Sequence, residues 1–340
     1  MALVVNNLVK KYGDFTAVDN LSFSIGQPGV FALLGTNGAG KTTSIRAILG
    51  MLTKEDGSVT WKGKDLSVVE EKVGYLAEER GLYAKYTIWE QMLYFAELKG
   101  MKRAAATVAI KYWLERLGAY EHIKKRAEQL SKGNQQKVQL AAALIADPEL
   151  LILDEPLSGL DPVNTDLFKS VIREEIDKGK YIIMSSHQMP TVEEFCTEIV
   201  IMHKGRVALQ GNLNHIKKGY GRIKLSVKAD EDILPLALDC GLVVERQTPN
   251  ETDFRVGDSS QPEMFLKKAL ELGITVVKYE LREPTLHEIF VEKADGQVRN
   301  PLPDSEKARE AIHASESPLA PTDLSDSTNY RAQGGKNNVG

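Results

Sequence analysis

The sequence predicts an α/β fold: a core built on a buried parallel sheet, an antiparallel β subdomain and an α-helical insertion, followed by a small α+β C-terminal domain. Three observations predict it. The apolar run Val30-Phe31-Ala32-Leu33-Leu34 passes through the glycine-rich turn GTNGAGKTT (35–43) into Ser44-Ile45-Arg46-Ala47-Ile48-Leu49, which has helical spacing. A second apolar run of strand length, Leu150-Leu151-Ile152-Leu153, ends in two acids and a proline, Asp154-Glu155-Pro156. From Thr87 to about Asp147 the spacing is helical throughout, with Ile88, Met92, Phe95 and Leu98 on one face.

Taken in order, residues 1–34 alternate as strands do. Leu3-Val4-Val5 precedes a basic turn at Lys10-Lys11-Tyr12-Gly13, and Ala17-Val18 and Leu21-Ser22-Phe23-Ser24-Ile25 lead to the first buried strand. After Gly50, Gly57-Ser58-Val59-Thr60-Trp61 and the Lys62-Gly63-Lys64 turn read as a hairpin. Val73-Gly74-Tyr75-Leu76 is a short buried strand that runs into the charged loop Ala77-Glu78-Glu79-Arg80-Gly81-Leu82-Tyr83. The helical insertion spans about 85–147. Beyond the Asp154-Glu155 strand come Ser158-Gly159-Leu160-Asp161-Pro162, a helix over about 164–178, a strand at 181–186 ending at His187, and a hairpin turning at His203-Lys204-Gly205-Arg206.

The turn at 35–43 carries the chemistry. Gly35, Thr36, Asn37, Gly38, Ala39, Gly40, Lys41, Thr42 and Thr43 match G-x-x-x-x-G-K-[S/T] between a strand and a helix, the context of a P-loop. Its glycines permit a tight turn whose amides face phosphate oxygens, helped by the positive end of the next helix. Lys41 is placed to reach the β- and γ-phosphates of a nucleoside triphosphate, and the Thr42 hydroxyl to hold Mg²⁺. A chance match arises in roughly one chain in a hundred of this length, and the strand and helix flanks reduce that further. Asp154 suits a water-mediated Mg²⁺ ligand, and Glu155 suits the position that orients an attacking water. Tyr12 is placed to stack on an adenine face.

Bulk composition limits the alternatives. With 340 residues, 42% hydrophobic and 26% charged, the chain has room for two domains. A net charge of -4 and a pI near 6.0 speak against a protein that neutralises nucleic-acid backbone, and no nucleic acid is expected. Cys196 and Cys240 lack metal-ligand spacing and read as thiols in a reducing compartment. No window reaches the length of a membrane span, and the first residues lack the pattern of a signal peptide. The expectation is a soluble chain tied to any membrane through a partner.

These motifs together resemble the ATPase subunit of an ABC transporter over about 1–217. Tyr12 matches the aromatic A-loop, Leu130-Ser131-Lys132-Gly133-Asn134-Gln135-Gln136 resembles the LSGGQ signature, Asp154 and Glu155 match the Walker B pair, Ser158 to Asp161 the D-loop, and His187 the switch histidine. The resemblance implies a head-to-tail dimer in which each ATP lies between one chain's P-loop and the other's signature. A physical reading agrees: Ser131 and Gly133 precede a helical run, Gln135 to Ala146, and form a second anion site, which one triphosphate on one chain rarely needs; the resemblance adds Asn134 to it. Catalytic roles fall to Lys41, Glu155 and His187, and metal binding to Thr42, Asp154 and Glu78.

Two stretches depart from the family's usual pattern. Glu78 stands where the Q-loop usually carries Gln: it accepts from a metal-bound water but cannot donate as an amide does. The signature carries Lys132 for Gly and Asn134 for Gln. Both variants look like those of bacterial ATPases that serve sodium- or drug-efflux permeases. The second module, 220–294, fits that subfamily, reading strand, helix, strand, strand, helix, strand, a split-βαβ order, with a last helix at 285–293. From about 295 to 340 the chain is rich in Pro, Ser, Asp, Asn and Gly and reads as a disordered tail. The resemblance implies an ATPase motor on the inner face of the cell membrane, driving export through a separate integral-membrane permease as a homodimer or paired subunit. The alternative is a soluble ABC ATPase acting on a ribosome or nucleic-acid complex. Those relatives usually carry two ATPase cores in one chain or a long coiled coil at the insertion, and neither is visible in this sequence.

Overall fold

The computed structural model describes residues 1–67, 73–79, 81–249 and 251–295. The tail read beyond 295, and Arg80 of the charged loop, lie outside the described residues. In chain order the first elements are β1 (Leu3–Tyr12), β2 (Phe15–Ile25), β3 (Gly29–Leu34), α1 (Lys41–Ile48), β4 (Asp56–Trp61), β5 (Lys64–Asp65) and β6 (Gly74–Leu76). Then follow α2 (Ile88–Leu98), α3 (Arg103–Arg116), α4 (Lys132–Leu144), β7 (Leu150–Asp154), α5 (Pro162–Asp177), β8 (Tyr181–Ser186), α6 (Met189–Glu193), β9 (Cys196–His203), β10 (Arg206–Asn212) and α7 (Leu213–Tyr220).

A six-stranded sheet, ordered β10-β9-β3-β8-β7-β6, forms the centre; its strands are parallel except for β10. Period-two alternation divides its side chains between two cores. Ala32, Leu34, Leu151, Leu153, Ile182 and Met184 join the core that includes the helical insertion, while Phe31, Leu33, Leu150, Ile152 and Ile183 join α1 and the antiparallel sheet. That second sheet is ordered β2-β1-β4-β5. At Gly74 an added Cβ would sit 2.5 Å from the Ala143 carbonyl oxygen, so α4 lies directly against β6.

One expectation is corrected in β1. Lys10, Lys11 and Tyr12 are strand residues, paired with Val18, Thr16 and Phe15, and only Gly13 and Asp14 turn the chain. The physical reason is a partner for the buried amine: Lys10 Nζ meets Glu55 Oε1 at 3.1 Å, and Glu55 Oε2 accepts the Lys11 amide at 2.7 Å. Charge that reads as a solvated turn is neutralised inside the sheet.

The second module contains β11 (Lys224–Ala229), α8 (Leu234–Asp239), β12 (Val243–Gln247), β13 (Thr252–Arg255), α9 (Ser260–Glu271), β14 (Val276–Arg282) and α10 (Leu286–Asp295). The antiparallel sheet order β12-β13-β11-β14 is that of a split βαβ fold. Leu225, Val227, Phe254 and Phe265 fill its core. Its last helix packs elsewhere: Leu286 and Phe290 are buried in the core that holds Met189, Val192, Phe195 and Leu213. Glu193, at the end of α6, accepts the Leu286 amide at 3.2 Å and the Lys217 amine at 2.5 Å. Helices α6 and α7 carry no sequence signal strong enough to be expected; both are short, and tertiary burial stabilises them more than propensity does.

Candidate active site

The loop between β3 and α1 demands glycine at two points. Gly40 has φ 102°, and a Cβ there would lie 2.5 Å from the Ala17 carbonyl oxygen; at Gly35, φ 155°, it would lie 2.6 Å from that of Met202. The turn before β10 braces the same loop, since the Gly205 amide donates to Ala39 O at 3.0 Å while its carbonyl accepts from Asp19 N at 2.8 Å. Thr36, Asn37 and Gly38 form the exposed rim, and Ala39 is buried. No side chain caps α1, which leaves its first amides for an anion.

Lys41 lies almost wholly buried. Its Nζ donates to Gly35 O at 3.0 Å and Thr36 O at 3.3 Å, and stands 3.2 Å from Glu155 Oε1. That last approach is an ion pair by distance without the angle of a hydrogen bond, so Oε1 keeps a free lone pair. Glu155 Oε2 lies 2.9 Å from His187 Nδ1, whose N–H donates to it. Glu155 holds a left-handed backbone, φ 49°, uncommon for a side-chain-bearing residue and frequent at functional sites.

Next to it, Asp154 Oδ1 accepts from Ser185 Oγ at 2.5 Å and from Thr42 Oγ1 at 3.3 Å, while Oδ2 is buried with no hydrogen-bond partner. Glu78 Oε2 stands 3.5 Å from Thr42 Oγ1, at the outer limit of a bond. Burial pushes the Asp154 carboxyl up against the opposing hydrogen bonds of Ser185 and Thr42. Glu78 is pushed up too, by burial first and then by the negative charges of Asp154, Glu155 and Glu79. The cluster therefore holds more negative charge than Lys41 balances. Tyr75 lies close by, its phenol pushed up to about 12 by burial and by Asp154. Ser185 escaped the sequence reading: its hydroxyl also accepts the Glu155 amide at 2.9 Å, so one side chain fixes both acids. The available signal was a hydroxyl pair ending an apolar strand.

The structure thus brings together Lys41, Thr42, Glu78, Asp154, Glu155 and His187. Ser131, Gly133 and Asn134 form a separate group at the start of α4. Ser131 is its N-cap, accepting the Asn134 amide at 3.4 Å, and a Cβ on Gly133 would lie 3.6 Å from Asn164 Nδ2. Gln136 donates to Ser158 O at 2.9 Å, tying this helix to the loop that precedes α5. Tyr12 stands at the end of β1 with Lys10 Nζ 5.2 Å from its ring centre. Cys196 and Cys240 are buried thiols, and burial pushes Cys196 up to about 12. Among the described residues no three His, Cys, Asp or Glu side chains converge as a metal cage, and no helix is long and apolar enough to cross a membrane.

Residues 18–158 match the ABC transporter family and residues 211–294 the C-terminal domain of DrrA1-3-like ATP-binding proteins. An uncharacterized ABC transporter ATP-binding protein of Bacillus subtilis, YhaQ, is 41% identical over 292 residues, 86% of this chain and 98% of that one. The bacitracin transport ATP-binding protein BcrA of Enterococcus faecalis is 28% identical over 84% of this chain and 93% of its own length. A solved ATP-binding subunit of an ABC transporter superposes with a TM-score of 0.60 at 30% identity, covering 65% of this chain and 94% of that one. The likeness to transport subunits favours the motor over the ribosome- or nucleic-acid-acting alternative. The chain belongs to the ATP-binding subunits of ABC transporters, the ATPases that hydrolyse ATP to power transport.

Proposed function

We propose that this chain hydrolyses Mg-ATP between two ATPase subunits and drives export through a separate integral-membrane permease. The observation that carries the site is Glu155, poised between Lys41 and His187. When ATP enters, the loop amides of 38–42 take its phosphate oxygens, and Lys41 leaves Glu155 for the β- and γ-phosphates. Glu155 then holds the attacking water and accepts its proton, while His187 donates a hydrogen bond to the γ-phosphate. Tyr12 stacks on the adenine.

The residues present fit Mg²⁺. The orphaned Asp154 Oδ2, the Thr42 hydroxyl beside it and the excess charge at Glu78 suit a hard cation that keeps several waters, with Thr42, Asp154 and Glu78 as its protein side. Bound there, Mg²⁺ would supply positive charge against the negative charge of the phosphoryl group.

The second copy contributes Ser131, Gly133 and Asn134, which support the paired-subunit reading because they form an anion site apart from the first. The division into 1–217, with its insertion at about 85–147, and 220–294 is part of this reading, as is a place at the inner face of the membrane. Support for export comes from the accessory module and from the bacitracin-transport relative. Replacing Glu155 by Gln tests the assignment. Hydrolysis is expected to fall by roughly 10²–10⁴-fold, with ATP-bound dimers collecting on a sizing column. Unchanged turnover would overturn it.

A further inference from the structure

The start of α4 is gripped by a side chain outside the machinery described so far. His122, the last residue of a 3₁₀ turn (Tyr120–His122), is 9% exposed, and its Nε2 lies 3.0 Å from the side-chain nitrogen of Asn134. The same Nε2 lies 3.3 Å from Glu121 Oε1, while Nδ1 is buried with no hydrogen-bond partner. Asn134 is thus held twice, by its backbone amide on Ser131 Oγ and by its side chain on the ring.

The ring's proton inventory separates this contact from packing. An imidazole nitrogen with a lone pair accepts; one with a proton donates. Facing the Asn134 NH₂, Nε2 must be the lone-pair nitrogen, and the amide then turns its Oδ1, an acceptor, away from the ring. Facing the Glu121 carboxylate, Nε2 must carry the proton. A ring protonated there keeps Asn134 only if the amide turns over, placing Oδ1 on the ring and the NH₂ outward. Phosphate is an acceptor and binds donors. Among the described residues, the charged group within ion-pair distance of the ring is Glu121, from its own turn, whose side chain is 79% exposed; α4 presents the uncharged Asn134.

We propose that His122 is a positioning residue of the signature: the hydrogen bond between its Nε2 and the Asn134 side chain sets which end of that amide faces the triphosphate of the opposite subunit. This rests on the reading that the signature of one copy meets the ATP of the other. It also accounts for an amide shorter than the family's usual Gln, since Asn134 is of a length that meets this ring.

Steady-state ATPase measurements on the full chain test it, for wild type, His122→Phe, His122→Gln and Ser131→Ala. A fluorescent ATP analogue at dilute protein reports P-loop binding separately. His122→Phe should raise KM for ATP by roughly three- to tenfold, the worth of one hydrogen bond, with little change in kcat or analogue binding. His122→Gln, whose amide can meet that of Asn134, should recover a KM near that of wild type, and it keeps the test open if the Phe variant folds poorly. A wild-type KM in His122→Phe, with Ser131→Ala impaired, overturns the role of His122 alone. A Ser131→Ala chain with unchanged KM overturns the shared-site reading, and this inference with it.

Discussion

Lys41 and Glu155 form an ion pair of 3.2 Å in which both side chains are nearly sealed from water, 6% and 4% exposed. In the proposed mechanism, the amine that serves the phosphates is thus stored on the carboxylate that serves the water. Breaking a buried pair from one side strands the other charge, a loss of about 3–5 kcal/mol. Lys41→Ala is therefore expected to lower the unfolding free energy of the nucleotide-free protein by that order and to abolish ATP binding, as urea unfolding and an ATP-binding titration will show. A stability equal to wild type would mean the pair contributes nothing.

Ser185 gives a cleaner separation of binding from turnover. Its hydroxyl donates to Asp154 and accepts from the Glu155 amide, so Ser185→Ala removes one bond to a charged group and one neutral bond, together about 2–4 kcal/mol. Turnover is expected to fall at least tenfold while ATP affinity stays within a few-fold. Equal losses in both would assign Ser185 to the fold alone.

The raised carboxylates predict how the empty protein responds to pH. A carboxyl whose pKa is higher folded than unfolded contributes stability below its ordinary range, and that contribution disappears as pH climbs through the raised value. Asp154 and Glu78 both behave this way. Without metal or nucleotide, the melting temperature should fall from pH 5 towards pH 7, and Glu78→Gln should flatten part of the slope. Mg²⁺ with ATP should restore most at the upper end, where the carboxylates are charged. Scanning fluorimetry with EDTA, then with Mg-ATP, measures both arms.

The accessory module carries the opposite sign. Burial alone would raise Glu288, but the bidentate Arg282 and the Thr285 amide and hydroxyl bring its carboxyl down to about 2. Its contribution is present above the ordinary glutamate value of 4.5 and is lost as pH falls towards 2. Arg282→Ala should shift acid unfolding of this module to higher pH, followed by circular dichroism between pH 5 and 2. An unmoved midpoint would assign the pair no part in acid stability.

Much of this was legible because it is local. A P-loop, a strand ending in two acids and a helix opened by a serine are each written within a few consecutive residues, so spacing alone exposes them. The pairings that make the site work join residues far apart in sequence: Lys41 to Glu155, Thr42 to Asp154, Ser185 to both acids. Their side-chain types are commonplace in isolation. Lys10 illustrates the limit, because a lysine beside a lysine reads as solvent-facing until Glu55 arrives from the loop before β4. The second module was legible in order but not in ownership, since nothing in the apolar stripe of α10 says which core it will enter.

That stripe has a practical meaning. By chain order α10 is the end of the accessory module; by packing, Leu286 and Phe290 belong to the ATPase core, and Glu193 of that core caps the helix that carries them. A shortened ATPase fragment ending at α7 would therefore carry an open apolar seat on α6 and a carboxylate deprived of the amide it caps, and such a fragment invites aggregation. A split chain that keeps the first core should supply α10 as well, joined by a linker or added as a separate peptide, and the reassembly of those two pieces would read out the strength of the joint directly.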